Sequence, residues 1–216
     1  MNEIIEKYCS QEWHEFIKLQ SEIRTFKKNE VIFDFDEEVE GIFLINSGKV
    51  KIVKKTPSSL MRVIRLAADG DVLGHRGLGG EWKYSITAIA LEDTEVVFIP
   101  INVFNQIVKT NPEFAFFIMM FFADELRDSE SLANQCPVKQ LISLALVKNH
   151  NAFGLEEGST KLSYTMSRKD LASMAGTTYE STIRSLSELQ KEGAIKLEGK
   201  AIHILSLKQL MSLSRS

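Results

Sequence analysis

Cysteine is scarce in this chain: Cys9 and Cys136 are the only two, and no CxxC spacing relates them. That excludes a disulfide framework and a cysteine-rich metal site, and two reduced thiols are expected. Long apolar runs are missing as well. The longest, Phe114–Ala123, holds about ten residues, roughly half of what a bilayer-spanning helix needs. The opening MNEIIEKYCSQEW mixes acids with bases and lacks the basic-then-apolar order of a secretory leader. A cytoplasmic location with no membrane partner is therefore expected. Neither GxSxG, HExxH nor a P-loop occurs, and the glycine-rich stretch Gly74–Gly80 opens no helix that could hold a phosphate. The chain is read as a non-enzyme, with no catalytic or metal-ligating residues.

A strong charge of either sign is also lacking. The net charge is −3, which as an average argues against a nucleic-acid binder. The average conceals an asymmetry: from Val138 onward 11 Lys and Arg face 7 Asp and Glu, net +4, leaving net −7 upstream. With 216 residues, 44% of them hydrophobic and 25% charged, the composition fits two modest globular domains.

After a short amphipathic helix around Glu12 to Gln20, the chain from Arg24 to Pro100 reads as short strands. VIFDF, GIFLI, KVKIV, MRVIRL, YSITAIAL and TEVVFIP alternate or run apolar between the turn residues Asn46-Ser47-Gly48, Pro57-Ser58-Ser59 and Asp69-Gly70-Asp71. Such spacing predicts a roll or barrel. A helical stretch from Asn102 to Thr110 follows, then Asn111-Pro112, suited to cap and open a long helix. Phe114, Phe117, Ile118, Phe121, Phe122, Leu126 and Leu132 recur in it at spacings of three and four, interrupted by Glu125, as far as Pro137. A helix of that length serves as a spine or a dimer seam, or packs only onto its own β domain. Another apolar helix, Val138 to Asn149, opens the C-terminal part.

Ser167 suits the N-cap of a helix from Arg168 to Met174, with Asp170 in its first turn. Ala175-Gly176-Thr177 reads as a tight turn in which glycine takes a positive φ, and Thr177 or Thr178 caps a second helix running to Lys191. Taking Ile183, Leu186 and Leu189 as its buried face leaves Tyr179, Glu180, Ser181, Arg184 and Ser185 exposed. AIKL and AIHIL around Glu198-Gly199-Lys200 then make a hairpin. Helix, turn, helix and hairpin in this order describe a winged helix-turn-helix, the second helix lying in a major groove of duplex DNA.

The stretches GIFLINSGKVKI, GDVLGHRGLGGEWKYSITAIALEDTEVVFIP, VFNQIVKTNPEF and SRKDLASMAGTTYESTIRSLSELQKEGAIKLEGKAIHIL resemble the Crp/Fnr family of bacterial regulators along nearly the whole chain. The resemblance implies an α+β architecture. Its parts are an N-terminal double-stranded β-helix, the cyclic-nucleotide-binding-like β-roll (1–110), a dimerisation helix and hinge (111–137), and a winged helix-turn-helix (138–216). It implies a homodimer on a near-palindromic operator, with RNA polymerase as a further partner. Family recognition helices carry a Glu, a Ser or Thr, and an Arg that match Glu180, Ser181 and Arg184, for cytosine N4, a phosphate and guanine O6/N7 respectively. Ser167, Arg168, Thr178 and Lys200 resemble the phosphate anchors, and Tyr179 stands where many relatives have Arg.

In the phosphate-binding cassette of cyclic-nucleotide relatives a Gly-Glu pair and an Arg-Ser pair hold the ribose and the cyclic phosphate; the matching positions here are Gly74-His75 and Tyr84-Ser85. Both ionic anchors are replaced, so cyclic AMP is not the expected effector. His75 and Arg76 form either a site for another anion or a basic surface loop. The redox branch of the family holds an iron–sulfur cluster on several cysteines, which two separated thiols do not provide. For a haem, His14, His75, His150 and His203 are the available axial ligands. No cofactor is expected, and the small-molecule effector is left open. A rival reading makes the chain a small-molecule- or cyclic-nucleotide-binding module that signals through protein contacts.

Overall fold

The computed structural model describes residues 3–56, 61–130 and 136–215. In chain order the elements are α1 (Glu3–Tyr8), α2 (Gln11–Gln20), β1 (Glu22–Phe26), β2 (Val31–Phe33), β3 (Gly41–Ser47), β4 (Val50–Lys55) and β5 (Met61–Ala67). Next come β6 (Val72–Leu73), β7 (Thr87–Ala90), β8 (Thr94–Pro100), α3 (Ile101–Thr110) and α4 (Pro112–Glu130). The last are α5 (Val138–Phe153), α6 (Arg168–Ala175), α7 (Tyr179–Lys191), β9 (Ile195–Glu198), β10 (Ala201–Ile204) and α8 (Leu207–Arg215). The chain divides into two compact units, Met1–Val50 with Ala68–Asn134, and Lys51–Ala67 with Gln135–Ser216.

In the first unit an antiparallel sheet runs β1-β8-β3-β6, with Ile42 opposite Ile99 and Leu44 opposite Val97. β3 is buried on both faces, which is why it reads as the unbroken apolar run GIFLI instead of alternating. Ile42 and Leu44 point to a core shared with Ile5, Ile17, Val103, Ile107 and Phe114 of the helices. Phe43, on the opposite side of the strand, tilts against Phe98 and stacks on Phe33. The expected N-terminal helix is present as α2. The preceding α1, which the sequence reading did not anticipate, adds Ile4 and Ile5 to the core and stacks Tyr8 on Phe117 at 4.4 Å.

α4 is apolar on two faces. Phe114 and Ile118 are buried and Phe117 and Phe121 pack beside them, whereas Phe116, Met119, Met120 and Leu126 stay 41–61% exposed on the opposite side. The Glu125 that interrupts the apolar pattern lies on the inner side, 15% exposed at its side chain. Leu132, the rest of the expected helix up to residue 135, and the turn at Pro57-Ser58-Ser59 lie outside the described residues.

The second unit is built around α5, whose Ile142, Ala145 and Leu146 are buried. β4 and β5 neighbour each other, and β5 lies along α6. There Ser173 Oγ donates to the Met61 carbonyl (2.9 Å) and accepts from the Val63 amide (3.0 Å), while Lys51 Nζ meets Asp170 Oδ1 at 2.7 Å. The expected hairpin is β9–β10, Ile195 opposite Ile204 and Glu198 opposite Ala201. The segment 160–162 runs along β10, with Ile204 N donating to Thr160 O and Leu162 N to Ile202 O. That covers the edge of the hairpin. No described helix is long and apolar enough to cross a membrane.

Candidate nucleic-acid interface

Two side-chain caps fix the helix pair α6–α7. Ser167 Oγ accepts from Asp170 N at 3.0 Å and donates to Asp170 Oδ2 at 2.9 Å. Thr178 Oγ1 accepts from Ser181 N at 3.1 Å and donates to Ser181 Oγ at 3.0 Å. Each such cap stabilises its helix by about 1 kcal/mol. Between them Gly176 sits at φ 66°, ψ 36°, and the Thr177 amide reaches back to Ala172 O. A Cβ there would be strained by φ and would meet Arg62 Nη2 at 3.1 Å.

The buried face of α7 differs from the expectation. Thr182, Ser185, Leu186 and Leu189 are buried, whereas Ile183 is 39% exposed, so Ile183 and Ser185 exchange places relative to the sequence reading. Residues 182, 185, 186 and 189 share one side of a 3.6-residue helix, and position 183 is turned about 100° away. Thr182 tolerates burial because its hydroxyl donates to Thr178 O at 2.9 Å.

On the outer side Tyr179, Glu180 and Arg184 are exposed, and Ser181 is half-buried with its hydroxyl engaged by Thr178. Among the described residues Glu180 and Arg184 have no ion-pair partner, so both remain available to an external one. Arg168 is half-buried beside Tyr179; burial lowers its pKa, though the guanidinium stays charged at neutral pH. Lys200 is exposed in the hairpin turn. On the flanking strands Glu198 draws in His203 (3.2 Å) and Lys196 (3.6 Å).

The positions singled out in the first unit split into two groups. Gly74, at φ 87°, opens a single 3₁₀ turn, His75–Gly77, that faces α4. His75 is 3% exposed, lies edge-on to Phe121 and Phe122, and brings Nε2 to 3.5 Å from Glu125 Oε2. Arg76 donates to the same oxygen from Nε (3.1 Å) and Nη2 (2.6 Å). Tyr84, by contrast, is buried in the aromatic side of the roll, stacked on Phe33 at 4.2 Å, its hydroxyl donating to Gly41 O at 2.9 Å. Burial pushes its phenol pKa up to about 12. Ser85 is exposed, its hydroxyl reaching the Arg76 carbonyl at 3.4 Å. Glu125 and Phe33 are the partners that the sequence reading did not single out.

Two family matches cover most of the chain: "Cyclic nucleotide-binding domain" over residues 23–111 and "Crp-like helix-turn-helix domain" over residues 139–213. The chain belongs to the Crp/Fnr family of DNA-binding transcription regulators. Among its Crp/Fnr relatives, it is 28% identical to Electron transport regulator A of Shewanella oneidensis, over 87% of this chain and 76% of that protein. It is 27% identical to the Anaerobic regulatory protein of Bacillus subtilis, over 88% and 82%. With the solved structure of FixK2 from Bradyrhizobium japonicum it shares the fold at a TM-score of 0.79 and 22% identity, over 91% of this chain and 98% of that one.

Within this Crp/Fnr chain the two thiols differ. Cys9 is buried and its pKa is pushed up to about 11 by burial, whereas Cys136 is half-buried. Because the folded value lies above that of a free thiol, this group's contribution to stability is complete below the free-thiol pKa and is lost as pH rises through 11. Iodoacetamide at neutral pH is expected to modify Cys136 and to spare Cys9 until the chain unfolds. Peptide mass mapping checks this, and equal rates at both thiols in the native chain would contradict it.

Proposed function

We propose that the chain acts as a homodimer that binds a near-palindromic operator, reading bases with Glu180 and Arg184 from α7. Arg184 takes guanine O6 and N7, Glu180 takes a cytosine amino group, and Ser181 lies against the backbone. Ser167, Arg168, Thr178 and Lys200 supply phosphate contacts that set the register. With Tyr179 in place of a cation, the preferred half-site departs from the one common among relatives. In functional terms the division is sensor 1–110, dimerisation helix and hinge 111–137, and DNA-binding domain 138–216. Contact with RNA polymerase and a cytoplasmic location belong to the same proposal.

The observation that carries the reading is a pair of helices each capped at its N-terminus, the second of which leaves Glu180 and Arg184 exposed and, among the described residues, without an ion-pair partner. The second apolar face of α4 supports the dimer, because Phe116, Met119 and Met120 are 41–58% exposed on it.

For the effector, the reading is a small molecule other than cyclic AMP held in the usual way. His75 and Tyr84 replace the ionic anchors, Tyr84 fills its place by stacking on Phe33, and Arg76 is committed to Glu125. A cyclic phosphate would find no bidentate guanidinium there. A four-thiolate cluster likewise does not fit a donor set of two cysteines, one of them buried with a raised pKa.

Selection of bound sequences from a random duplex library, with and without cell metabolites, tests the whole reading. An inverted repeat whose enrichment depends on metabolites is expected. A pool with no enriched sequence under either condition would contradict it.

A further inference from the structure

The groove-reading side of α7 carries an aliphatic side chain that the assignment of Glu180 and Arg184 does not use. Ile183 is 39% exposed, while Leu186 and Leu189 of the same helix are 1% and 0% exposed. The core side of α7 is therefore complete without it. Ile183 follows Tyr179 by one helical turn, follows Glu180 by three residues and immediately precedes Arg184, so it stands among the reading residues.

We propose that Ile183 is a specificity-determining residue that packs against the C5 methyl group of a thymine beside the base pair read by Arg184. The inference rests on α7 lying in the major groove. Thymine alone among the four bases presents a methyl group there, and an alkyl side chain is its natural partner. Set against cytosine, the same side chain would cover an amino donor without accepting from it, which leaves a desolvated polar group unpaired. Ile183 thus favours T·A over C·G at one position of each half-site, by attraction to one and by a penalty on the other. A single exposed isoleucine is ordinary on a protein surface; its place between Glu180 and Arg184 is what gives this one a role.

The test uses the full chain and the duplex it selects from a random library, with each thymine replaced in turn by deoxyuridine, which removes only the methyl. Wild type is expected to lose about three- to fivefold in affinity at one thymine per half-site, the worth of one buried methyl group. Ile183→Ala is expected to bind the thymine and deoxyuridine duplexes equally, with an unchanged circular dichroism spectrum because the residue lies outside the core. If Ile183→Ala keeps the same preference for thymine, or if wild type is indifferent to every thymine methyl, the assignment is wrong. Arg184→Ala on the same duplexes separates the two levels. Weak binding by Arg184→Ala together with indifference to uracil contradicts the role of Ile183 alone. Undiminished binding by Arg184→Ala contradicts the placement of α7 in the groove.

Discussion

Arg184→Ala is expected to lose about 1–3 kcal/mol per half-site on the selected operator and little on random DNA. The reason is geometric. A guanidinium fork matches guanine O6 and N7 with two hydrogen bonds, and alanine leaves both acceptors without a partner. On random DNA the same side chain offers only a diffuse charge, which salt screens. Because Arg184 is exposed and has no ion-pair partner among the described residues, the fold does not depend on it, so the loss reports recognition. Fluorescence anisotropy with both duplexes at fixed salt measures the difference. Equal losses on the two would remove Arg184 from base reading and make it a phosphate contact.

Tyr84→Ala is expected to destabilise the first unit by about 3–5 kcal/mol, the range for truncating a buried aromatic residue. Tyr84 is 3% exposed, stacks on Phe33 and donates to the carbonyl of Gly41, a residue with no spare room: a Cβ at Gly41 would come within 2.3 Å of Ile99 O. Removing the ring opens a hole in the roll and strands the Gly41 oxygen. Tyr84→Phe keeps the stacking and loses one hydrogen bond, about 1 kcal/mol. Urea unfolding followed by near-ultraviolet circular dichroism separates the two variants. Equal, small effects would mean that Tyr84 is not the plug of the roll. The point bears on the proposed effector, for which Tyr84 is read by resemblance as standing in the place of the phosphate-binding arginine of cyclic-nucleotide relatives.

The helix-turn-helix was legible in the sequence because its signals are local. Ser167 and Thr178 cap within three residues of themselves, and Gly176 marks the one turn position that needs a positive φ. The rotation of α7 was less legible. Counting Ile183 as core and Ser185 as surface follows polarity, but the internal bond from Thr182 to Thr178 O made a polar residue suitable for the core and turned Ile183 outward.

Glu125 shows the opposite limit. In the sequence it only breaks an apolar pattern; in the fold it pairs with Arg76, 49 residues away, and a one-dimensional period carries no trace of such a partner. The apolar stripe read along α4 takes in Leu126 but leaves out Phe116, Met119 and Met120 of the outer face, since Phe, Met and Leu around most of a helix give no contrast between an inner and an outer side. The short polar segment 160–162 beside β10 lacks any strand pattern of its own and is ordered by its neighbour's backbone groups.

Native mass spectrometry of the full chain on its selected duplex tests the central claim most directly. Two chains per duplex are expected, on half-sites about 34 Å apart along the helix axis, with affinity falling sharply when the repeat is halved. A single chain per intact duplex, with affinity unaffected by halving the repeat, would contradict it.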